Sequence, residues 1–284
     1  MPTRFLNVGG RAAIELDGLA VDVERASGGR FSSDPMDALR RWNELVEWAS
    51  RAEADDGSAA VDPASLGPVV PRPSKVFGVA LNYRKHAEET GAQVPDQPSV
   101  FTKFPNCLTG PTADVVIPSD FVDWEVELVA VIGQGGSRIP ESKALEHVAG
   151  YCVGQDYSER RVQMAGTRPQ FSLAKSYDTF GPIGPALVTL DGFGDPDDVP
   201  LWCEVNGERV QDSSTADLIF SVPVLVSYLS DICTLEPGDL IFTGTPSGVG
   251  VARTPPRFLA EGDVVVSGID AIGELRNVVR RRAD

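Results

Sequence analysis

The sequence contains few of the side chains that form zinc clusters or disulfide frameworks. Only two histidines and four cysteines occur among its 284 residues. The cysteines lie far apart, and no two of them form a Cys-x-x-Cys pair. This spacing argues against a zinc site and against disulfide bonds, and it favours small buried thiols. A reducing cytoplasm fits this cysteine usage best.

The chain also lacks an excess of basic residues and a long apolar run. Its 25 lysines and arginines are outnumbered by 41 aspartates and glutamates, which gives a formal net charge of −16. Such a chain is a poor partner for DNA, because phosphate binding requires clustered lysine and arginine. No apolar run approaches the length of a membrane span, and residues 1–10 show no apolar segment of the signal-peptide kind. We therefore expect a cytoplasmic protein that binds neither nucleic acid nor membrane.

The composition does provide for a sizeable core. Hydrophobic residues make up 42% of the chain and charged residues 23%, which is ordinary for a globular protein. The length allows one large domain, or a small domain followed by a larger one. A polar stretch with prolines from Pro68 to Pro73 predicts a boundary near residue 70. We expect a small N-terminal module over residues 1–70 and the main domain over residues 71–284.

Short β-branched segments with turn residues between them predict a mainly β, α+β protein. A helix in the N-terminal module is predicted to begin after Asp34, which can cap it, with Pro35 at its first position. Ser221 can cap a second helix. The predicted strands are residues 4–8, 12–16, 19–23, 75–80, 128–132, 151–155, 186–190, 201–205, 240–243, 263–267 and 273–279. The predicted helices are residues 35–49, 82–90, 140–148, 158–164 and 222–233.

One acidic stretch carries the main chemical signal. Glu125 and Glu127 are one residue apart and lead into an apolar run that ends at Gly133, which predicts a buried strand. Residues two apart on a strand point to the same face, so the two carboxylates repel each other unless a cation lies between them. Mg²⁺ or Mn²⁺ would satisfy them, because hard cations prefer oxygen ligands. An exposed strand face in water is the structural alternative. Asp156 follows a later strand, where a carboxylate is well placed for binding.

Two further features suggest catalysis. His86 and Glu89 are three residues apart in a predicted helix, so they are neighbours on one face. A carboxylate beside an imidazole raises its basicity and orients it, as a general base requires, although idle surface pairs of this kind are common. Lys175 lies in an apolar setting, where an ammonium group needs a partner. A salt bridge to Asp178 would be sufficient explanation.

A glycine-rich segment, residues 244–250, follows a predicted buried strand. Glycines let backbone N–H groups approach an anion closely. No Lys-Ser or Lys-Thr pair follows and no Rossmann βαβ unit surrounds the segment, so a nucleotide loop is rejected. A carboxylate cradle is the better functional interpretation.

Six motifs occur together in a recognisable order. They are Asn-Tyr-x-x-His-x-x-Glu (82–89), Asp-Trp-Glu-Val-Glu-Leu (123–128), Gly-Tyr-x-x-x-Gln-Asp-Tyr-Ser-Glu-Arg (150–160), Ala-Lys-Ser-Tyr-Asp-Thr-Phe-Gly-Pro (174–182), Val-Asn-Gly-Glu (205–208) and Leu-Glu-Pro-Gly-Asp-Leu-Ile-Phe-Thr-Gly-Thr-Pro-Ser-Gly-Val-Gly (235–250). In this order they resemble the fumarylacetoacetate hydrolase family, over roughly residues 75–280.

The resemblance implies a main domain of mixed β-structure rolled into a distorted barrel, one Mg²⁺ or Mn²⁺ ion per chain, and a homodimer. By similarity the metal ligands are Glu125, Glu127 and Asp156. His86 and Glu89 match the family's water-activating dyad, and Lys175 matches its active-site lysine. Tyr83, Arg160 and Thr245 are expected to contact the substrate. Two departures lie beside the site: Gln155 replaces a common asparagine, and Glu159-Arg160-Arg161 replaces a common Ala-Arg-Asp.

The implied activity is hydrolysis of a C–C bond in a 2,4-diketo acid of the acylpyruvate or fumarylpyruvate type. The dyad would activate water, while the metal and Lys175 would stabilise a pyruvate enolate. Oxaloacetate decarboxylation and isomerisation of 2-hydroxyhepta-2,4-diene-1,7-dioate need the same enolate stabilisation and are alternatives. Dehydration of a 2-keto-3-deoxy sugar acid is a third possibility in this group. A non-catalytic 2-oxo-acid-binding protein would not require the dyad and the lysine together.

Overall fold

The computed structural model describes residues 2–282, and strands outweigh helices in it. Its α-helices are α1 (Val23–Ala26), α2 (Pro35–Arg40), α3 (Trp42–Ala49), α4 (Arg84–Thr90), α5 (Arg160–Gln163), α6 (Phe171–Ala174) and α7 (Val222–Ile232). Its strands are β1 (Arg4–Val8), β2 (Arg11–Leu16), β3 (Leu19–Asp22), β4 (Ala59–Ala60), β5 (Val76–Ala80), β6 (Ser99–Thr102), β7 (Leu108–Thr109), β8 (Val115–Ile117), β9 (Val122–Asp123), β10 (Val126–Ile132), β11 (Val148–Gln155), β12 (Ser158–Glu159), β13 (Gly181–Val188), β14 (Pro200–Val205), β15 (Glu208–Ser214), β16 (Leu240–Phe242), β17 (Val264–Ile269) and β18 (Gly273–Arg281). The predicted α+β class is confirmed.

Local sequence signals explain several of these elements. The Asp34 side chain accepts a hydrogen bond from the Met36 N–H at 2.8 Å, as expected for the cap of α2. Ser221 occupies the N-cap of α7, but its side chain makes no capping bond. The helix expected over residues 140–148 is a 3₁₀-helix, Glu141–His147. It ends early because Val148 already begins β11.

The N-terminal strands continue the main sheet. β1 pairs antiparallel with β13, with Arg4 opposite Val188. β2, β3 and β4 extend the same sheet outwards in sequence order. α2 and α3 cover this end through a core that includes Phe5, Leu39 and Trp42. The division at residue 70 stays a prediction, and strand pairing runs across it.

The large sheet is open and does not close into the expected distorted barrel. In residues 2–282 its strand order is β4-β3-β2-β1-β13-β11-β10-β16-β5-β6, with β7 beside β13. β4 and β6 are therefore edges, which a barrel would have joined. A second sheet, in the order β15-β14-β17-β18-β8, packs on the first. Among the described helices, none combines the length and apolar character that crossing a bilayer requires.

Strand β10 lies inside the large sheet and is buried along its whole length. Its alternating side chains enter two apolar cores: Val126 and Leu128 face one, and Val129 and Val131 face the other. β11 pairs with β10 in a register that places Gln155 opposite Val126. Asp156 directly follows β11, and Glu125 directly precedes β10, so this register places the two residues side by side. The Asp156 N–H donates to the Glu125 carbonyl at 2.9 Å.

The position of β10 predicts a large stability cost for truncating its side chains. Val131 is 0% exposed, so Val131→Ala should lower the free energy of unfolding by about 2 kcal/mol through lost burial and a cavity. Val94 is 54% exposed, and Val94→Ala should change the free energy of unfolding by less than about 0.5 kcal/mol. Urea unfolding of both variants measures the difference. Equal effects would contradict the central position of β10.

Candidate active site

Three buried carboxylates meet at one end of β10 and β11. Glu125, Glu127 and Asp156 are 7%, 1% and 0% exposed. One oxygen from each lies within 4.8 Å of the others. The register of the two strands brings them together, because it sets the start of β10 against the end of β11. The structure thus assembles the three residues expected to bind metal.

Lys175 follows α6 and points into this cluster. Its ammonium donates to Glu125 Oε2 at 2.7 Å, to Asp156 Oδ2 at 2.8 Å and to Ser158 Oγ at 2.7 Å. The suggested salt bridge to Asp178 is wrong, since Asp178 Oδ1 instead accepts from Asn106 Nδ2 at 2.7 Å. All three ammonium protons are therefore used, and Lys175 acts on the cleft as a fixed positive charge.

Lys103 is a second buried lysine that the sequence analysis missed. It follows β6 directly, and its ammonium donates to Asp156 Oδ1 at 2.7 Å and to the Phe180 carbonyl at 3.3 Å. It also donates to the carbonyl of Lys175. The signal was present in the sequence, because Lys103 lies between Thr102 and Phe104 in an apolar stretch, the same setting that drew attention to Lys175.

Arg160, the first residue of α5, binds two carboxylates. Its Nη2 lies 2.7 Å from Asp123 Oδ2 and 2.7 Å from Glu125 Oε1. Its Nη1 donates to Gln163 Oε1 at 2.9 Å. Burial disfavours the charged guanidinium, but Asp123 and Glu125 outweigh burial and raise the pKa of Arg160. Arg160 is thus held rigidly at the wall of the cleft.

The carboxylates differ in how their charge is compensated. Burial raises the pKa of Glu125, but Lys175 and Arg160 outweigh burial and bring it to about 2. The pKa of Glu127 is raised well above its usual value by burial and then by Asp156 and Glu125. Among the described residues, Glu127 has no ion-pair partner, and its Oε2 accepts a hydrogen bond from the Gly244 N–H at 2.7 Å.

This donor set fits a divalent cation. The three clustered side chains offer oxygen only, which hard cations such as Mg²⁺ and Mn²⁺ prefer. Glu127 is a buried carboxylate without a cationic side chain beside it among residues 2–282. Such a group is costly unless a cation neutralises it. Glu125, Glu127 and Asp156 are therefore the residues that would hold the ion.

His86 and Glu89 lie on α4 and form the expected pair. His86 Nδ1 is 3.1 Å from Glu89 Oε2. The helix ends at Gly91, whose backbone is left-handed at φ 65°. The imidazole lines the same cleft as Glu125, Arg160 and Lys175. His86 and a member of the carboxylate cluster thus face one cavity.

The glycine-rich segment binds carboxylates, and those carboxylates belong to the protein. The Gly244 N–H donates to Glu127, and the Gly248 N–H donates to Glu89 Oε1 at 2.9 Å. The N–H groups of Gly250 and Val251 donate to Asp123 at 2.7 and 2.9 Å. The segment therefore fixes side chains of the site by backbone hydrogen bonds.

Two of the expected substrate contacts are constrained. Tyr83 is fully buried, and its hydroxyl has no hydrogen-bond partner among the described residues. It does not belong to the lining of the cleft. Thr245 does line the cleft, but its Oγ1 donates to the Val126 carbonyl at 2.9 Å and accepts from Gln211 Nε2 at 2.8 Å. The Thr245 hydroxyl proton is therefore already used.

The two departures from the family pattern have different surroundings. Gln155 Oε1 accepts from the Glu125 N–H at 2.8 Å, and its Nε2 donates to Ser267 Oγ at 2.8 Å. It therefore connects a metal-binding residue to β17 in the second sheet. Arg161 stacks over the Phe121 ring, 4.9 Å from its centroid.

The cleft measures about 270 Å³, which suits a small molecule. Its lining combines the polar groups described above with apolar side chains: Val79, Leu81, Phe101, Phe171, Val249 and Val251.

Three clustered carboxylates beside a histidine–glutamate pair in an open mixed sheet are the arrangement expected of a fumarylacetoacetate hydrolase-type enzyme. Residues 75–280 match the family model described as "Fumarylacetoacetate (FAA) hydrolase C-terminal". The chain belongs to this family, as the sequence motifs indicated.

Similar proteins carry different reaction names. Human mitochondrial oxaloacetate tautomerase FAHD2A is 46% identical over 216 residues, which cover 75% of this chain and 68% of that protein. A Mycobacterium smegmatis protein described as HpcE has a TM-score of 0.94 and 50% identity, covering 99% of this chain and 100% of the other. A maleylpyruvate hydrolase from Sphingobium sp. SYK-6, in complex with manganese (II) ion and pyruvate, has a TM-score of 0.80 and 29% identity. The match covers 99% of this chain and 100% of that chain.

Glu127→Gln should separate metal binding from stability. Loss of a charged ligand should weaken Mn²⁺ binding about tenfold or more, as measured by calorimetric titration. The metal-free variant should be no less stable than wild type, because burial and the neighbouring carboxylates disfavour the charged form of Glu127 and a neutral amide avoids that cost. Glu274→Gln, on the exposed side of β18, is the control. Unchanged Mn²⁺ affinity in Glu127→Gln would refute its place among the ligands.

Lys103→Met should destabilise the protein strongly. The substitution leaves Asp156 without Lys103, and both side chains of this pair are 0% exposed. Breaking such a pair lowers the free energy of unfolding by about 3–5 kcal/mol. Lys143→Met breaks the exposed pair with Glu146 and should cost less than about 1 kcal/mol. Chemical unfolding in EDTA compares them. Similar losses in both variants would mean that Asp156 does not depend on Lys103.

Proposed function

We propose that this protein is a divalent-metal-dependent hydrolase that cleaves a C–C bond in 2,4-diketo acids of the acylpyruvate or fumarylpyruvate type. The observation that carries the proposal is the His86–Glu89 pair, 3.1 Å apart, in the cleft that also contains Glu125 and Lys175. A 2-oxo acid held by the cation would place its distal carbonyl within reach of a base in so small a cleft.

Charge around the triad supports an anionic substrate. Four carboxylates (Asp123, Glu125, Glu127 and Asp156) and three cations (Lys103, Lys175 and Arg160) give 3 − 4 = −1. A divalent cation would change this balance to +1. A local positive charge attracts a carboxylate although the whole chain is acidic.

When bound, the cation would supply Lewis-acid polarisation of the 2-oxo-acid oxygens. His86 would take a proton from water through Nε2, while Glu89 holds Nδ1 and stabilises the imidazolium. The resulting hydroxide adds to the distal carbonyl, and the bond between that carbon and C3 of the pyruvate unit breaks. The bond electrons pass to the pyruvate enolate, whose negative charge lies near the Lys175 ammonium. The His86 imidazolium then returns its proton to C3, which gives pyruvate and a carboxylic acid.

Tautomerisation of oxaloacetate is a second candidate. It is favoured by the 46% identity to human oxaloacetate tautomerase FAHD2A, which exceeds the 29% identity to the maleylpyruvate hydrolase. The chemistry requires a base that moves a proton between carbon and oxygen, and stabilisation of the same enolate. His86 and Lys175 would serve there without a hydrolytic water.

The choice of metal, the compartment and the assembly are also proposals. We propose Mg²⁺ or Mn²⁺ as the ion, a cytoplasmic location and a homodimer. Manganese is favoured by the Sphingobium structure, which contains it. A homodimer would cover exposed apolar side chains near the cleft, Phe104, Met164 and Leu173, which are 49%, 63% and 57% exposed.

The deciding experiment offers acetylpyruvate, fumarylpyruvate and oxaloacetate to the protein with EDTA, Mg²⁺ or Mn²⁺. Pyruvate release and the decay of the oxaloacetate enol absorbance are followed separately. Metal-dependent pyruvate release from the diketo acids supports the hydrolase. Enol decay without pyruvate release supports the tautomerase, and pyruvate release from oxaloacetate above the free-metal rate supports a decarboxylase.

His86→Ala should lower kcat about 10²-fold to 10⁴-fold, because general-base catalysis contributes that much. Mn²⁺ affinity should be unchanged, since His86 is not among the three clustered ligands. His147→Ala is the matched control: His147 is the other histidine, and its Nδ1 contacts the Gln134 carbonyl at 2.9 Å. Equal kcat values in the two variants would remove His86 from the mechanism.

A further inference from the structure

A single loop joins the two halves of the site. Residues 248–251 contact Asp123 and Trp124, which lie just before β10. They also contact Glu89, which lies on α4. The His86–Glu89 dyad and the metal-binding residues come from elements that are far apart in sequence. This loop is therefore one of the contacts that fix their relative position.

Two neighbouring buried side chains hold it: Asp123 accepts from the Gly250 and Val251 N–H groups, and Trp124 contacts Gly248. Trp124 lies between Asp123 and Glu125 and is 0% exposed. Its indole Nε1, the only donor of the side chain, donates to the Gly248 carbonyl at 3.1 Å. The guanidinium groups of Arg253 and Arg257 each lie 5.7 Å from its ring centroid. Both guanidinium groups also bind Glu208, so the ring is enclosed.

Gly248 transmits this contact to the dyad. Its N–H donates to Glu89 Oε1 at 2.9 Å, while Glu89 Oε2 lies 3.1 Å from His86 Nδ1. Its backbone has φ +104°, and a Cβ atom there would lie 2.0 Å from the Val210 carbonyl oxygen. Gly248 is thus held by Trp124 on one side and packed against β15 on another.

We propose that Trp124 is a positioning residue for the His86–Glu89 dyad. Its indole N–H fixes Gly248, the Gly248 N–H fixes one oxygen of Glu89, and the other oxygen then orients the imidazole. Glu89 needs such an anchor because its side chain is 24% exposed on a seven-residue helix, where water competes for its oxygens. The catalytic part of this inference rests on the proposed role of His86 as general base.

A phenylalanine at this position would fill most of the space and keep an aromatic ring near the two arginines, but it would not donate a hydrogen bond. Misorientation of a base by a fraction of an ångström lowers the rate of proton transfer without removing the base. The expected result of losing the indole N–H is therefore a slower chemical step with the metal site intact.

The first test follows hydrogen exchange of the Gly248 amide by NMR, which needs no substrate. Trp124→Phe should raise the exchange rate about tenfold, the effect of one lost hydrogen bond. Trp202→Phe is the control, because its indole contacts Asp270 at 3.3 Å in the second sheet. A second variant carries 3-benzothienylalanine at Trp124, where sulfur replaces the N–H and the packing is retained. Unchanged exchange in the 3-benzothienylalanine variant would overturn the proposal.

The second test is a double-mutant cycle with Glu89→Ala, measured on whichever substrate is turned over. Trp124→Phe alone should lower kcat about tenfold, with the Kd for Mn²⁺ within about twofold of wild type. In the Glu89→Ala background, Trp124→Phe should have no further effect on kcat. Additive effects, or a matching loss of Mn²⁺ affinity, would mean that Trp124 has a general structural role.

The two tests separate this inference from the proposed function. If the protein turns over none of the three substrates, the proposed reaction fails. The exchange rate of Gly248 in the two Trp124 variants then decides alone whether the indole holds the loop against Glu89. If turnover occurs and the cycle is additive, the proposed reaction stands and the positioning role falls.

Discussion

The site depends on the gathering of like charges in the protein interior. Glu125, Glu127 and Asp156 lose their hydration and repel one another, so each needs compensation. Lys103, Lys175 and Arg160 supply it from three separate segments, and together they pair with Glu125 and Asp156. Within residues 2–282, Glu127 has no ion-pair partner and accepts a backbone N–H from Gly244. The uncompensated carboxylate is thus confined to one residue, at the place where a divalent cation fits.

Backbone groups carry much of the remaining organisation. The loop after β16 directs its N–H groups to Glu127, Glu89 and Asp123, and each of these carboxylates belongs to a different part of the site. Because these polar groups and the Lys175 ammonium are already paired within the protein, they cost little reorganisation when a ligand binds. Under the proposed function, a bound cation and His86 are then the groups left to react with a substrate.

One arrangement of this kind supports more than one reaction. Hydrolysis of a diketo acid and tautomerisation of oxaloacetate both pass through the enolate of a 2-oxo acid. The negative charge develops at the same oxygen in each, so the same fixed positive groups stabilise it. Under the proposed function, what differs is whether His86 acts on water or on carbon.

The sequence by itself determined what depends on near neighbours. The alternation of Glu125 and Glu127, the three-residue spacing of His86 and Glu89 and the cap at Asp34 follow from local geometry, and the six motifs indicated the family. Tertiary structure decided what depends on distant segments. It paired Lys103 with Asp156, chose the partners of Lys175 and placed the Trp124 indole against Gly248. It also turned the glycine-rich segment towards the protein's own carboxylates and joined β1 to β4 to an open sheet. The buried Lys103–Asp156 and Lys175–Glu125 pairs join residues 53 and 50 positions apart, and no local pattern encodes such pairing, because its energy arises only when both partners leave water together.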